Sequence, residues 1–204
     1  MTIFPVFYFP PIPWFVRAIQ EKEILLDIHQ PYRKQRYFSR MEILGPNQVI
    51  QLSIPIERRS KRLPLACKQI SFAEKWRTQH WRSLMYSYKN SPYFPYYSDK
   101  LESIYTKKVV PLSEFLIEGI ELCFTMIGMS PHIQLTQDSP LAGEESQDYR
   151  KSFPTNPTAF PEWFRIIPYV QVFEGFSPGL SILDLLFNLG PESREFLIES
   201  YIPM

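Results

Sequence analysis

Thr2-Ile3-Phe4-Pro5-Val6-Phe7-Tyr8-Phe9, then Pro13 to Glu23, then Glu23-Ile24-Leu25-Leu26-Asp27-Ile28 is the stretch on which the fold turns. The first run is β-branched and aromatic and reads as a short strand, edge-like where Pro5 offers no N–H. Pro13 sits in the first turn of a short helix, where no amide donor is needed. Glu23–Ile28 reads as a buried strand. Strand, helix and strand at this spacing predict a small βαβ unit.

Working outward, the next signal is Gly45-Pro46-Asn47, a turn between residues 35–44 and 48–56. In the second arm Ile50, Leu52, Ile54 and Ile56 alternate with polar or small partners, placing four aliphatics on one face. In the first arm Met41 and Ile43 face the core, so Arg40 points to the open face. Lys68–Phe72 reads as a further strand. Ser71-Phe-Ala-Glu74 has the form of a capping box and predicts a helix over 72–90, with Trp76 and His80 on one side. Helices are predicted over 98–106, 112–128 and 192–201. Another is predicted from the capping box Ser181-Ile-Leu-Asp184 to Gly190-Pro191. The aromatic run 93–97 is expected to pack on the body of the protein. Residues 133–136 and 165–173 read as strands, and 137–161 as an extended or mobile loop. The elements together predict one domain over residues 1–204, of the α+β or α/β class. It has a mixed β-sheet with an N-terminal βαβ-like unit and a hairpin, and helices packed on the sheet.

Composition bounds the function. With 45% apolar and 16% aromatic residues, the chain is not a disordered one. Twenty prolines and seven glycines in 204 residues predict a rigid, loop-rich fold. The net charge of +1 argues against a general nucleic-acid binder. The charge is nevertheless uneven: residues 1–100 hold 16 Lys/Arg against 7 Asp/Glu, and residues 101–204 hold 6 against 14. Two basic clusters, Arg33-Lys34-Arg36-Arg40 and Arg58-Arg59-Lys61-Arg62, are either solvated surface or an anion-binding face. Cys67 and Cys123 form no disulfide framework, and no Cys/His spacing points to zinc. No secretory signal or spanning segment is read, so the expected location is the cytoplasm.

Several stretches carry a family resemblance. They are Tyr8-Phe-Pro-Pro with Pro13-Trp14-Phe15, Asp27 followed by Tyr32-Arg-Lys-Gln-Arg-Tyr, Arg40, and Leu52-Ser-Ile-Pro-Ile. Trp76-Arg with His80-Trp81, Tyr88-Lys-Asn-Ser-Pro-Tyr-Phe, and Phe176-Ser-Pro-Gly-Leu through Asn188-Leu-Gly190-Pro complete the set. In this order they resemble the WbqC-like family, found mostly in bacterial polysaccharide and O-antigen gene clusters. One position departs: Ser39-Arg40 stands where similar proteins tend to show Asn-Arg, which removes an amide. The resemblance implies a role in building surface polysaccharide, such as transfer of glycine or another aminoacyl group onto a sugar. It leaves the cofactor open.

His80 and Asp27 are the candidate acid–base residues. The imidazole titrates near working pH, and a carboxylate ending a strand is well placed in an open α/β sheet. The alternatives are a structural histidine within the aromatic layer and a carboxylate paired to an arginine. Lys34, Arg36 and Arg40 are expected to hold an anionic small molecule, a sugar nucleotide or other activated precursor. Gln171 and Asn188 are candidates to read its polar groups. The caps account for Ser181 and Asp184. Gly175-Phe-Ser-Pro-Gly179 resembles a nucleophile elbow only superficially. Two functions stand side by side: a transferase, and a non-catalytic module docking a partner enzyme through exposed aromatic and basic residues.

Overall fold

The computed structural model describes residues 2–32, 37–57, 63–107, 111–138, 147–154 and 159–203. Strands β1 (Thr2–Pro5) and β2 (Glu23–Asp27) run parallel, and α1 (Ile12–Ala18) crosses between them. This is the βαβ unit that the first 28 residues predict. Trp14 of α1 seats its ring on Phe4 and donates Nε1–H to the Pro5 carbonyl at 3.1 Å, locking helix to strand. Strand β5 (His132–Leu135) adds to the free side of β2, and β6 (Gln147–Asp148) to the free side of β1. The order is β5-β2-β1-β6, all parallel. Every strand therefore ends at the same edge of the sheet.

The hairpin of β3 (Arg40–Leu44) and β4 (Val49–Ser53) forms as expected, with Arg40 opposite Ser53 and Met41 opposite Leu52. It makes its own two-stranded sheet beside the parallel one. Met41, Ile43, Leu52 and Ile54 are buried, which confirms the alternation read along both arms.

Helices α2 (Trp76–Tyr88), α3 (Phe94–Thr106), α4 (Leu112–Ile127), α5 (Ile182–Leu189) and α6 (Ser193–Glu199) complete the domain. Helix α5 is apolar except for one buried polar stripe, Asp184 and Asn188: Ile182, Leu183, Leu185, Leu186 and Phe187 have no exposed surface. Such a helix belongs in an interior, where each large aliphatic or aromatic contributes about 1.5–3 kcal/mol. Helices α1, α3, α4 and α6 and strand β3 surround it.

Several expectations about elements change. Lys68–Phe72 forms no strand, only isolated bridges at Gln69 and Ile70, and β6 lies inside the stretch 137–161 that reads as loop. Helix α2 begins at Trp76, not 72, because Ser71 N–H is drawn to the Pro55 carbonyl and Ile70 bridges Ile56. The helix expected over 98–106 begins at Phe94, so the run 93–97 enters the first turn of α3, where Pro95 is tolerated; Phe94 packs inside as expected, whereas Tyr96 is 75% exposed. Residues 165–173 make no ladder: Pro168 lacks a donor, and side chains hold the segment instead.

Candidate functional site

At the shared carboxyl edge of the parallel strands, Asp27 ends β2 and Asp148 ends β6. Asp27 is wholly buried. Its Oδ1 accepts from the His29 amide at 2.9 Å and the Thr136 hydroxyl at 3.1 Å. Its Oδ2 accepts from Arg150 Nη1 at 2.7 Å. The same guanidinium forks onto Asp148, with Nε to Oδ1 at 2.9 Å and Nη2 to Oδ2 at 2.8 Å. One arginine thus clasps two carboxylates from strands on either side of β1. The hydrogen bonds from Arg150 hold the Asp148 carboxyl below its ordinary range, and those same bonds hold the guanidinium well above its own.

Thr136 passes the contact on, accepting from the Ile28 amide at 3.2 Å while donating to Asp27. An open cleft of about 350 Å³ begins one residue beyond Arg150, lined by Lys151, Ser152, Pro154, Phe160, Pro161, Glu162 and Trp163.

His80 lies in a different environment. The Tyr8 hydroxyl bonds its Nδ1 at 2.9 Å and the Tyr105 hydroxyl at 2.6 Å. The Trp76 ring meets the imidazole edge-on and the Tyr8 ring stacks on it. Burial pushes the imidazole down to about 4, against a hydrogen bond with the Ser53 backbone. Arg40 faces Ser53 across the hairpin, so the two candidates share a backbone neighbour. The Arg40 charge acts instead on Tyr32, whose hydroxyl bonds Ser39 Oγ at 2.9 Å. Lys34 and Arg36 lie outside the described residues, as does the second basic cluster.

Gln171 and Asn188 meet around Asp184. The Gln171 amide donates to Asp184 Oδ2 at 2.8 Å, and its carbonyl accepts from the Ser177 amide at 2.9 Å. Asn188 donates to the Asp184 carbonyl at 2.7 Å, the i−4 position of its own helix. Tyr88 and Tyr169 hydroxyls also donate to the Asp184 carboxylate, at 2.9 and 2.5 Å. Ser181 is a true N-cap, accepting from the Leu183 amide. Asp184 is not part of that cap: its carboxylate is the hub of a buried network, and burial raises it despite three donors. Ser177 stands in a literal Gly-x-Ser-x-Gly, but no described strand leads into it, so it is not an elbow. Among the described residues no group of three or more His, Cys, Asp or Glu could hold a metal ion.

The sequence reading picked out Asp27 but not Thr136, Asp148 or Arg150. The i, i+2 pair Asp148 and Arg150 was the available signal.

The WbqC-like protein family matches residues 7–153 and 150–196, nearly the whole chain. The chain belongs to the WbqC-like protein family. The matched span includes Asp27, Arg40, His80 and Asp184. A relative in Mycobacterium tuberculosis (strain ATCC 25618 / H37Rv), described as uncharacterized protein Rv1507c, is 25% identical over 219 residues, covering 91% of this chain and 93% of that protein. No solved structure matches. Among the described residues no helix is long and apolar enough to cross a membrane.

Proposed function

We propose that this WbqC-like protein is a cytoplasmic transferase acting on an anionic, activated precursor of surface polysaccharide, with glycine or another aminoacyl group as the candidate cargo. The observation that carries the reading is the Asp27–Arg150–Asp148 clasp. Open α/β sheets bind ligands outside the carboxyl ends of their strands, and this hydrogen-bonded charge cluster, with Asp27 buried and Arg150 and Asp148 part-exposed, lies there. Of the two candidate bases, Asp27 is at that edge. An imidazole held near 4 is a weak base, which leaves His80 a packing role. With both oxygens already accepting, Asp27 acts first by fixing Arg150 and Thr136. Arg40 supplies positive charge for the donor.

Calorimetry with sugar nucleotides and aminoacyl donors tests this. Arg40→Ala is expected to weaken donor binding at least tenfold, and Asp27→Asn to abolish transfer. Equal binding by Arg40→Ala and parent, or no donor binding at all, overturns it.

A second reading, a docking module, draws on Tyr86 and Tyr96, each 75% exposed on the packed pair α2 and α3. Loss of a defined partner on Tyr86→Ser with Tyr96→Ser, with no donor bound by the parent, would favour it.

A further inference from the structure

Lys68 follows a 3-10 turn at Leu65–Cys67 and has no exposed surface. Its Nζ has no hydrogen-bond partner and makes no ion pair with a described residue. It lies over the Tyr32 ring, 4.7 Å from the centroid. A ring face offsets only part of the cost of removing an ammonium from water, so the charge calls for a stronger partner. The backbone holds it in place: Ala66 donates to the Ile28 carbonyl at 2.7 Å, Leu65 to the Gln30 carbonyl, and Leu112 to the Lys68 carbonyl. This anchors Lys68 beside residues 28–30, directly after Asp27.

The groups around it share one character. The Tyr32 and Ser39 hydroxyls bond each other at 2.9 Å, Ser39 being buried, and Arg40 follows Ser39 at the start of β3. Arg40 also makes no ion pair with a described residue. A buried cation lies over the ring that carries one of two bonded hydroxyls, a second cation is next in the chain after Ser39, and Lys68 makes no ion pair with a described carboxylate. We propose that Lys68, Arg40, Tyr32 and Ser39 form an oxyanion-binding site that takes a phosphate group. The cations neutralise it, and the hydroxyls turn their protons from each other to its oxygens. Tyr32 is only half-buried, and the anion enters along its edge. The identity of the phosphate as part of an activated donor rests on the proposed function; the site itself does not.

Inorganic pyrophosphate is the probe, titrated by calorimetry into the full chain at low salt, with malonate as the carboxylate control. The parent is expected to bind pyrophosphate saturably and more tightly than malonate. Lys68→Met is expected to bind at least tenfold more weakly while melting no lower than the parent, since it loses an uncompensated charge. Lys68→Arg guards against a packing effect and is expected to retain most of the affinity. No saturable pyrophosphate binding by the parent, unchanged binding by Lys68→Met, or tighter binding of malonate overturns the site. Pyrophosphate binding without transfer from any donor would sink the proposed function and leave the site standing.

Discussion

Burial acts on His80 and Asp184 in opposite directions. The His80 imidazole falls from its ordinary 6.5 to about 4, so the unfolded chain binds its proton first as pH drops. Its stabilising effect is present above 6.5 and is lost as pH falls to about 4, amounting to about 3 kcal/mol. Urea titrations at pH 7.5 and 4.5 should show the parent losing about that much more than His80→Gln. Asp184 runs the other way. Its folded value is raised, so the native state keeps a proton after the unfolded chain has released it. Its contribution is greatest below the ordinary carboxylate range and fades as pH rises through the raised value. Asp184→Asn should remove that decline. Asp184→Ala should lower stability by about 3 kcal/mol at low pH and by less as pH rises, because Tyr88, Tyr169 and Gln171 all lose their acceptor.

Element ends carry the strain and the charge. Gly190 closes α5 with φ 53° and ψ −123°, and a Cβ there would lie 2.3 Å from the Tyr93 ring. Gly190→Ala should cost about 2 kcal/mol or more, visible as a lower melting temperature. The strand-end clasp behaves as a unit. Arg150→Met leaves the buried Asp27 carboxylate without its cation and should cost about 3–5 kcal/mol. Adding Asp27→Asn should recover part of this, and a double-mutant cycle in urea measures the coupling. The βαβ unit and the hairpin were legible because each carries its period within one short run. Asp27 was legible as the last residue of such a run. Strand β6 was not: Gln147–Asp148 has two ladder residues and no apolar alternation, inside a stretch that reads as loop. Arg150 reaches Asp27 across 123 positions, which no local pattern reports. The Ser71 box failed because tertiary pairing to Pro55 outweighed a local cap. Lys68 looked like any strand lysine, since its isolation depends on Tyr32.

Across the whole molecule, one thiol is open and one is sealed. Cys67 is exposed; Cys123 is buried in α4, where burial raises it well above the ordinary thiol value. A thiol reagent should label one cysteine in the native protein and both in denaturant, and rapid native labelling of both would contradict this packing. The order β5-β2-β1-β6 bears on synthesis as well. Thr2 pairs with Ile24 on one side and with Gln147 on the other. A nascent chain therefore exposes a bare flank of strand β1 until Gln147–Asp148, nearly three-quarters of the way along these 204 residues, has left the ribosome. Any pause before that point leaves a sticky template for neighbouring chains, and holdase chaperones should bind arrested fragments ending near residue 138 far more than completed ones.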